Sequence, residues 1–134
     1  MYKRQIGNNA IRWVGAVPHG QIPSLLQAAD VFVIPQNIGG LGLSVLEAMS
    51  CGLPVITTAI GETTRLLASD EGILVEPHNA DDIVDAMRYL AENEDVRRRM
   101  GERCRLKVER YYSWDHLIEE IEQVYEAVST ASRD

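Results

Sequence analysis

The run Val31-Phe-Val-Ile34, closed by Pro35, constrains this chain more than any other feature. It is too short for a buried helix, carries no polar alternation and is rich in β-branched and aromatic side chains. Such a run reads as a strand covered on both faces. Val55–Thr58 is a second β-branched strand, and Gly72–Val75 a third, ending at Pro77. Ile11–Val14 is expected as a further short strand, ended by Gly15 and Pro18. Between these runs lie segments of helical period. Ile22–Ala29 has apolar residues at 22, 25, 26 and 29, and Ser44–Ser50 predicts a short helix stopped by Gly52 and Pro54. Strands alternating with helices imply an α/β class with a parallel sheet.

The remainder is helical. Thr64–Leu67 predicts one turn, and Asn79 is placed to cap a helix with Ile83, Val84, Met87, Leu90 and Ala91 on one face. Val96, Met100 and Cys104 continue the period in a second helix ending near Tyr112. Ser113 caps a last helix whose apolar face is Leu117, Ile118, Ile121, Val124, Tyr125 and Val128, expected to be core rather than a partner-binding groove. There is no internal repeat, low-complexity segment or linker, so residues 6–134 read as one unit. Met1–Gln5 translates a string resembling the end of a transposase-based sequencing adapter. The expected native chain therefore begins near Ile6, with upstream coding sequence lost.

Composition narrows the function classes. At 134 residues and 46% hydrophobic the chain can build one core. Its formal charge of −7 argues against a nucleic-acid surface. It leaves room for a phosphate site, because helix-start amides need no basic residue. Seven basic residues crowd into Arg97–Arg110, a pattern read as a solvated helix face, the alternative being contact with an anionic membrane. No apolar run approaches bilayer length. Cys51 and Cys104 lack metal-ligand spacing and read as reduced, buried packing residues of a cytosolic protein.

Ligands of parallel sheets bind at the carboxyl ends of the strands. Those ends are Gly15–Pro18, Pro35–Gly42 and Thr58–Thr63, and they are expected to line one crevice. The informative stretch is Gly39-Gly-Leu-Gly-Leu-Ser-Val-Leu-Glu47-Ala-Met-Ser-Cys-Gly-Leu-Pro-Val55. A strand ends, glycines let a ligand approach the backbone, and a helix begins. A diphosphate at Gly42–Ser44 would satisfy the unpaired, partly positive first amides of that helix. Glu47 lies a turn further in, able to accept from two vicinal hydroxyls such as those of ribose. The competing reading is structural: Ser44-Val-Leu-Glu47 fits a capping box.

Four blocks occur in order: Val14-Gly-Ala-Val-Pro18, Ala28-Ala-Asp-Val-Phe-Val-Ile-Pro35, Gly42 to Val55, and Tyr112-Ser-Trp114. Together they resemble the C-terminal half of the retaining, GT-B-fold glycosyltransferases often called family 4. The resemblance covers nearly all of Ile6–Ser129. It implies a Rossmann-like parallel sheet with flanking helices, the first β/α units of that half missing, and a partner domain that holds the acceptor.

By the same resemblance, Glu47 meets the ribose hydroxyls, and Gly40, Leu41, Gly42 and Leu43 form the loop at the diphosphate and donor sugar, leading into Ser44. Gly15, Ala16 and Val17 lie near the nucleobase, met through backbone groups. No metal or other cofactor is implied, the donor being a nucleoside diphosphate sugar. The family's first motif glutamate falls on Gly39, its Gly-Gly on Gly61-Glu62 and a further glutamate on Arg65, so donor-sugar recognition must differ here. The basic residues that neutralise the diphosphate fall upstream of Ile6.

The expected function is therefore transfer of a sugar to an acceptor hydroxyl with retention, this part holding the donor and inactive by itself. The alternatives are a non-catalytic binding module and a GT-B sugar-nucleotide epimerase. His19 lacks a carboxylate partner in sequence and is expected to face solvent, with His78 and His116 still less engaged. Trp13 and Trp114 are expected in the core or at a domain contact.

Overall fold

A computed structural model describes residues 11–38, 40, 42–67 and 70–131. Gly39, Leu41 and Met1–Gln5 lie outside the described residues.

A 3-10 turn, His19–Gln21, leads into α1 (Ile22–Gln27), β1 (Phe32–Ile34) and α2 (Leu43–Ser50). β2 (Val55–Thr58), α3 (Thr63–Leu66) and β3 (Gly72–Val75) follow, then α4 (Ala80–Glu92), α5 (Glu94–Tyr111) and α6 (Trp114–Ala131). Among the described residues the sheet has three strands in the order β1-β2-β3, all parallel. Phe32 pairs with Val55, and Ile56 with Ile73.

β2 is the central strand, and its four residues are buried. Consecutive side chains alternate between the two faces. Val55 joins Val45, Ala48, Met49, Leu66, Leu67 and Cys104 under α2 and α5. Ile56 joins Val75, Ala86, Leu90 and Met100 under α4. This double cover is why the strands are continuous apolar runs. α5 reaches α2 closely because Gly101 has no side chain: a Cβ there would lie 2.1 Å from the Gly52 carbonyl oxygen. Gly52 ends α2 at φ +78°, the left-handed conformation glycine adopts freely.

The helix starts follow the sequence. Asn79 Oδ1 accepts from the amides of Asp81 at 3.1 Å and Asp82 at 3.3 Å, capping α4. Ser113 Oγ accepts from the His116 amide at 3.3 Å and starts α6. Cys104 is fully buried and Cys51 half-buried, both as free thiols. Of the seven basic residues in Arg97–Arg110, five pair with carboxylates: Arg97 with Asp30, Arg98 with Glu102, Arg103 with Asp70, Arg105 with Glu109 and Lys107 with Glu71. Neutralised in this way, the stretch is a solvated face tied to its neighbours.

Three expectations are corrected. Ile11–Val14 forms no strand: it is irregular and exposed, because an apolar run becomes a strand only where a partner strand lies beside it. The stripe of α6 is not core. Ile118, Ile121, Val124, Tyr125 and Val128 all stand exposed, since α6 packs chiefly on the end of α5. Trp13 and Trp114 are 68% and 79% exposed, which excludes the core placement and not the domain contact expected as its alternative. None of the helices among the described residues is long and apolar enough to cross a membrane.

Candidate functional site at the carboxyl end of the sheet

Three buried threonines organise the carboxyl end of the sheet. Thr57 Oγ1 donates to the Ile34 carbonyl at 2.8 Å, tying the end of β1 to β2. Thr58 Oγ1 accepts from the Gln36 amide at 3.0 Å and donates to the Gln36 carbonyl at 2.7 Å, holding the loop that leaves β1. Thr63 Oγ1 lies 2.6 Å from the Ile60 carbonyl and 2.9 Å from the Thr58 carbonyl, holding the loop that leaves β2. In that loop Gly61 takes φ +56°. Buried hydroxyls must be paired, and here every pairing is spent on backbone of the strand ends and the loops that leave them.

Gly42 is the N-cap of α2 and is itself extended, at φ −69°, ψ 114°. The amides of Val45 and Leu46 turn back onto the Gly42 carbonyl at 2.9 and 3.4 Å. Those of Leu43 and Ser44 have no backbone acceptor among the described residues. They are first-turn donors at the positive end of an eight-residue helix. The Gln36 carboxamide lies over the same point, its Nε2 3.1 Å from where a Gly42 Cβ would stand. Gln36 was not evident from sequence; the signal was Thr57-Thr58 at a strand's carboxyl end, where hydroxyls reach the neighbouring loop.

The capping-box reading of Glu47 fails on register. Gly42 is the N-cap and Ser44 already the second helical residue, so neither side chain is where that motif needs it, and no side chain caps α2. Glu47 instead stands on the flank of α2, its side chain 38% exposed, with Oε1 4.0 Å from His19 Nδ1. The two line a cavity of about 620 Å³ with Ile22, Leu26, Ser50 and Arg105. His19 faces solvent as expected, at 85% side-chain exposure, but it does have a carboxylate in view. Sequence could not pair them, because one opens the turn before α1 and the other lies in α2.

Gly15, Ala16 and Val17 form no strand end. Gly15 turns at φ +78°, and the segment runs through Pro18 into the turn bearing His19, which links it to α2. At the other edge, Glu62 and Arg65 pair with each other at 3.5 Å, both exposed. His78 is the one described non-glycine residue at positive φ, 63°, and sits in the turn before α4. His116 faces Glu120 at 3.4 Å on α6, away from the sheet end. The described residues hold no cluster of three or more metal-ligating side chains.

Comparison with known proteins converges on one family. The profile described as glycosyl transferases group 1 matches residues 2–107. Over 124 residues the chain is 30% identical to D-inositol 3-phosphate glycosyltransferase of Corynebacterium aurimucosum, covering 91% of this chain and 29% of that protein. Among solved structures, sucrose-phosphate synthase from Thermosynechococcus elongatus superposes with a TM-score of 0.81 at 29% identity, covering 88% of this chain and 30% of the other. A TarM variant from S. aureus, in complex with fondaparinux, α-GlcNAc-glycerol and UDP, gives a TM-score of 0.69 at 25% identity, covering 78% and 22%. The parallel sheet with flanking helices is thus the Rossmann-like fold of GT-B C-terminal domains. The chain spans about 29% of the length of the first of these relatives.

Proposed function

The chain belongs to the glycosyl transferases group 1 family, and from that premise we propose that it is the donor-nucleotide half of a family 4, retaining glycosyltransferase. In this reading a nucleoside diphosphate sugar lies along the carboxyl end of the sheet and gives its sugar to an acceptor hydroxyl. The acceptor, a glycan, lipid or small molecule, is held outside this chain. Where the sugar leaves, negative charge develops on the diphosphate. The first-turn amides of Leu43 and Ser44 and the positive end of α2 are fixed there before the reaction starts, and such fixed donors stabilise that charge without a metal. Glu47 accepts from the ribose hydroxyls, Gly40–Leu43 meets the diphosphate and donor sugar, and Gly15–Val17 offers backbone groups to the base.

The observation that carries this reading is the register of α2. With Gly42 as N-cap, the first-turn amides and Glu47 are presented on one element, about a turn apart, and Glu47 is relieved of any capping duty. The UDP held in the TarM structure favours a nucleoside diphosphate as the ligand class. The test is a binding titration of nucleoside diphosphates to the intact protein that carries these residues. Glu47→Gln is expected to weaken ribonucleotide binding by about tenfold or more, the loss of charge-assisted bonds of about 1.5–3 kcal/mol. It should leave the 2′,3′-dideoxy analogue unaffected. Equal losses for both ligands would show that Glu47 does not meet the ribose.

A further inference from the structure

We propose that His19 is a second side chain of the ribonucleoside site, sharing one ribose hydroxyl with Glu47: the carboxylate accepts the hydroxyl proton, and the imidazole Nδ1–H donates to the hydroxyl lone pair. The inference rests on the donor-nucleotide reading of Glu47.

The geometry is specific. Nδ1 and Oε1 are 4.0 Å apart, too far for a direct hydrogen bond. An oxygen at about 2.8 Å from both atoms would close a triangle with an angle of about 90° at the oxygen. That is close to the angle between a hydroxyl's donating and accepting directions, and a hydroxyl is the group that both donates and accepts. The carboxylate can only accept. The imidazole nitrogen donates as the Nδ1–H tautomer or as the cation. Fold stability does not account for the alignment, because a 4.0 Å pair exposed by 85% and 38% contributes little.

Both partners are positioned by backbone. Pro18 fixes the entry to the turn that carries His19, and the Gln21 amide closes that turn on the Pro18 carbonyl at 2.9 Å. Glu47 lies mid-helix. Arg105 also lines the cavity but is bonded to Glu109 at 2.8 Å, which leaves Glu47 to His19 and the ligand.

The experiment titrates the intact protein with a nucleoside diphosphate and its 2′-deoxy and 3′-deoxy analogues. Wild type should prefer the ribonucleotide. His19→Ala should cut the preference over one of the two deoxy analogues by about three- to tenfold, the share of one hydrogen bond. Affinity for that analogue, which lacks the shared hydroxyl, should not change. His19→Asn, whose amide can donate from near the Nδ1 position, should recover most of the loss. An unchanged preference in His19→Ala overturns the inference. So does an equal loss for all three ligands, which would mean that His19 acts on the diphosphate or on folding. If Glu47→Gln abolishes the preference while His19→Ala keeps it, the role of His19 fails and the donor site stands. If wild type binds none of the three, both fall.

Discussion

Thr58 holds both backbone groups of Gln36 through one oxygen, accepting from its amide at 3.0 Å and donating to its carbonyl at 2.7 Å. Thr58→Val keeps the shape and removes both bonds, leaving partly buried loop groups unpaired. The expected cost is about 2–3 kcal/mol in denaturant unfolding. Nucleotide affinity should fall with it, because the loop leading to α2 loses its anchor. Thr58→Ser should keep the bonds and most of the affinity. A valine variant that unfolds at the wild-type denaturant midpoint would disprove the anchoring role.

A second prediction concerns helix approach. Gly101→Ala puts a methyl 2.1 Å from the Gly52 carbonyl oxygen, backbone that cannot rotate away. α5 must shift off α2, at a cost of about 1–3 kcal/mol or more from overpacking. Thermal melting should show a clear drop. Alanine at Gly20, where a Cβ meets open space, is the control expected to melt near wild type.

The third prediction is pH-dependent. Burial first, then the charge of Glu71, push the Cys104 thiol up from its ordinary 9.0 to about 12, with Lys107 pulling the other way. Above pH 9 the unfolded thiol loses its proton while the folded one keeps it until about 12. The folded state then holds more protons, so stability falls as pH rises through this window, with a slope of up to about 1.4 kcal/mol per pH unit. Below pH 9 the thiol contributes no slope. Cys104→Ser should lose this component, measured as the difference in denaturation slope against wild type between pH 9 and 11. Parallel slopes would exclude the linkage.

A fourth prediction follows from the exposed stripe of α6. Ile118, Ile121 and Val124 form a contiguous apolar patch with Tyr125 and Val128, and such patches associate in water. The isolated 134-residue chain is expected to self-associate in sedimentation velocity, and Ile121→Glu with Val124→Glu to reduce it. A monodisperse monomer at high concentration would show that the patch is tolerated.

What sequence revealed and what it hid divide along one physical line. Val31–Ile34, Val55–Thr58 and the Asn79 cap were legible because local chemistry decides them: cover on both faces for the strands, a side-chain oxygen for the cap. Ile11–Val14 carries the same local signal and forms no strand, because a strand needs a neighbour and the run does not name one. The period of α6 was read correctly and its burial was not, for the same reason: a stripe shows which face is apolar, not what covers it. At the site, the glycine-to-helix turn was evident. The two-residue shift that makes Gly42 rather than Ser44 the cap was not, since both residues suit that position. The approach of His19 to Glu47, across separate elements, had no signature at all.

The two ends of the loop between β1 and α2 are fastened independently, Gln36 to Thr58 and Gly42 to the first turn of its own helix. Neither anchor draws on the side chain of Ile38 between them. Ile38, 86% exposed, gives nothing to the core, and lengthening such a loop costs only about 0.6 kcal/mol per doubling. A laboratory library confined to residues 37–41 is therefore expected to melt close to wild type. Sequence change should then be tolerated at those positions, while the threonine pegs and the glycine at the helix start stay as they are.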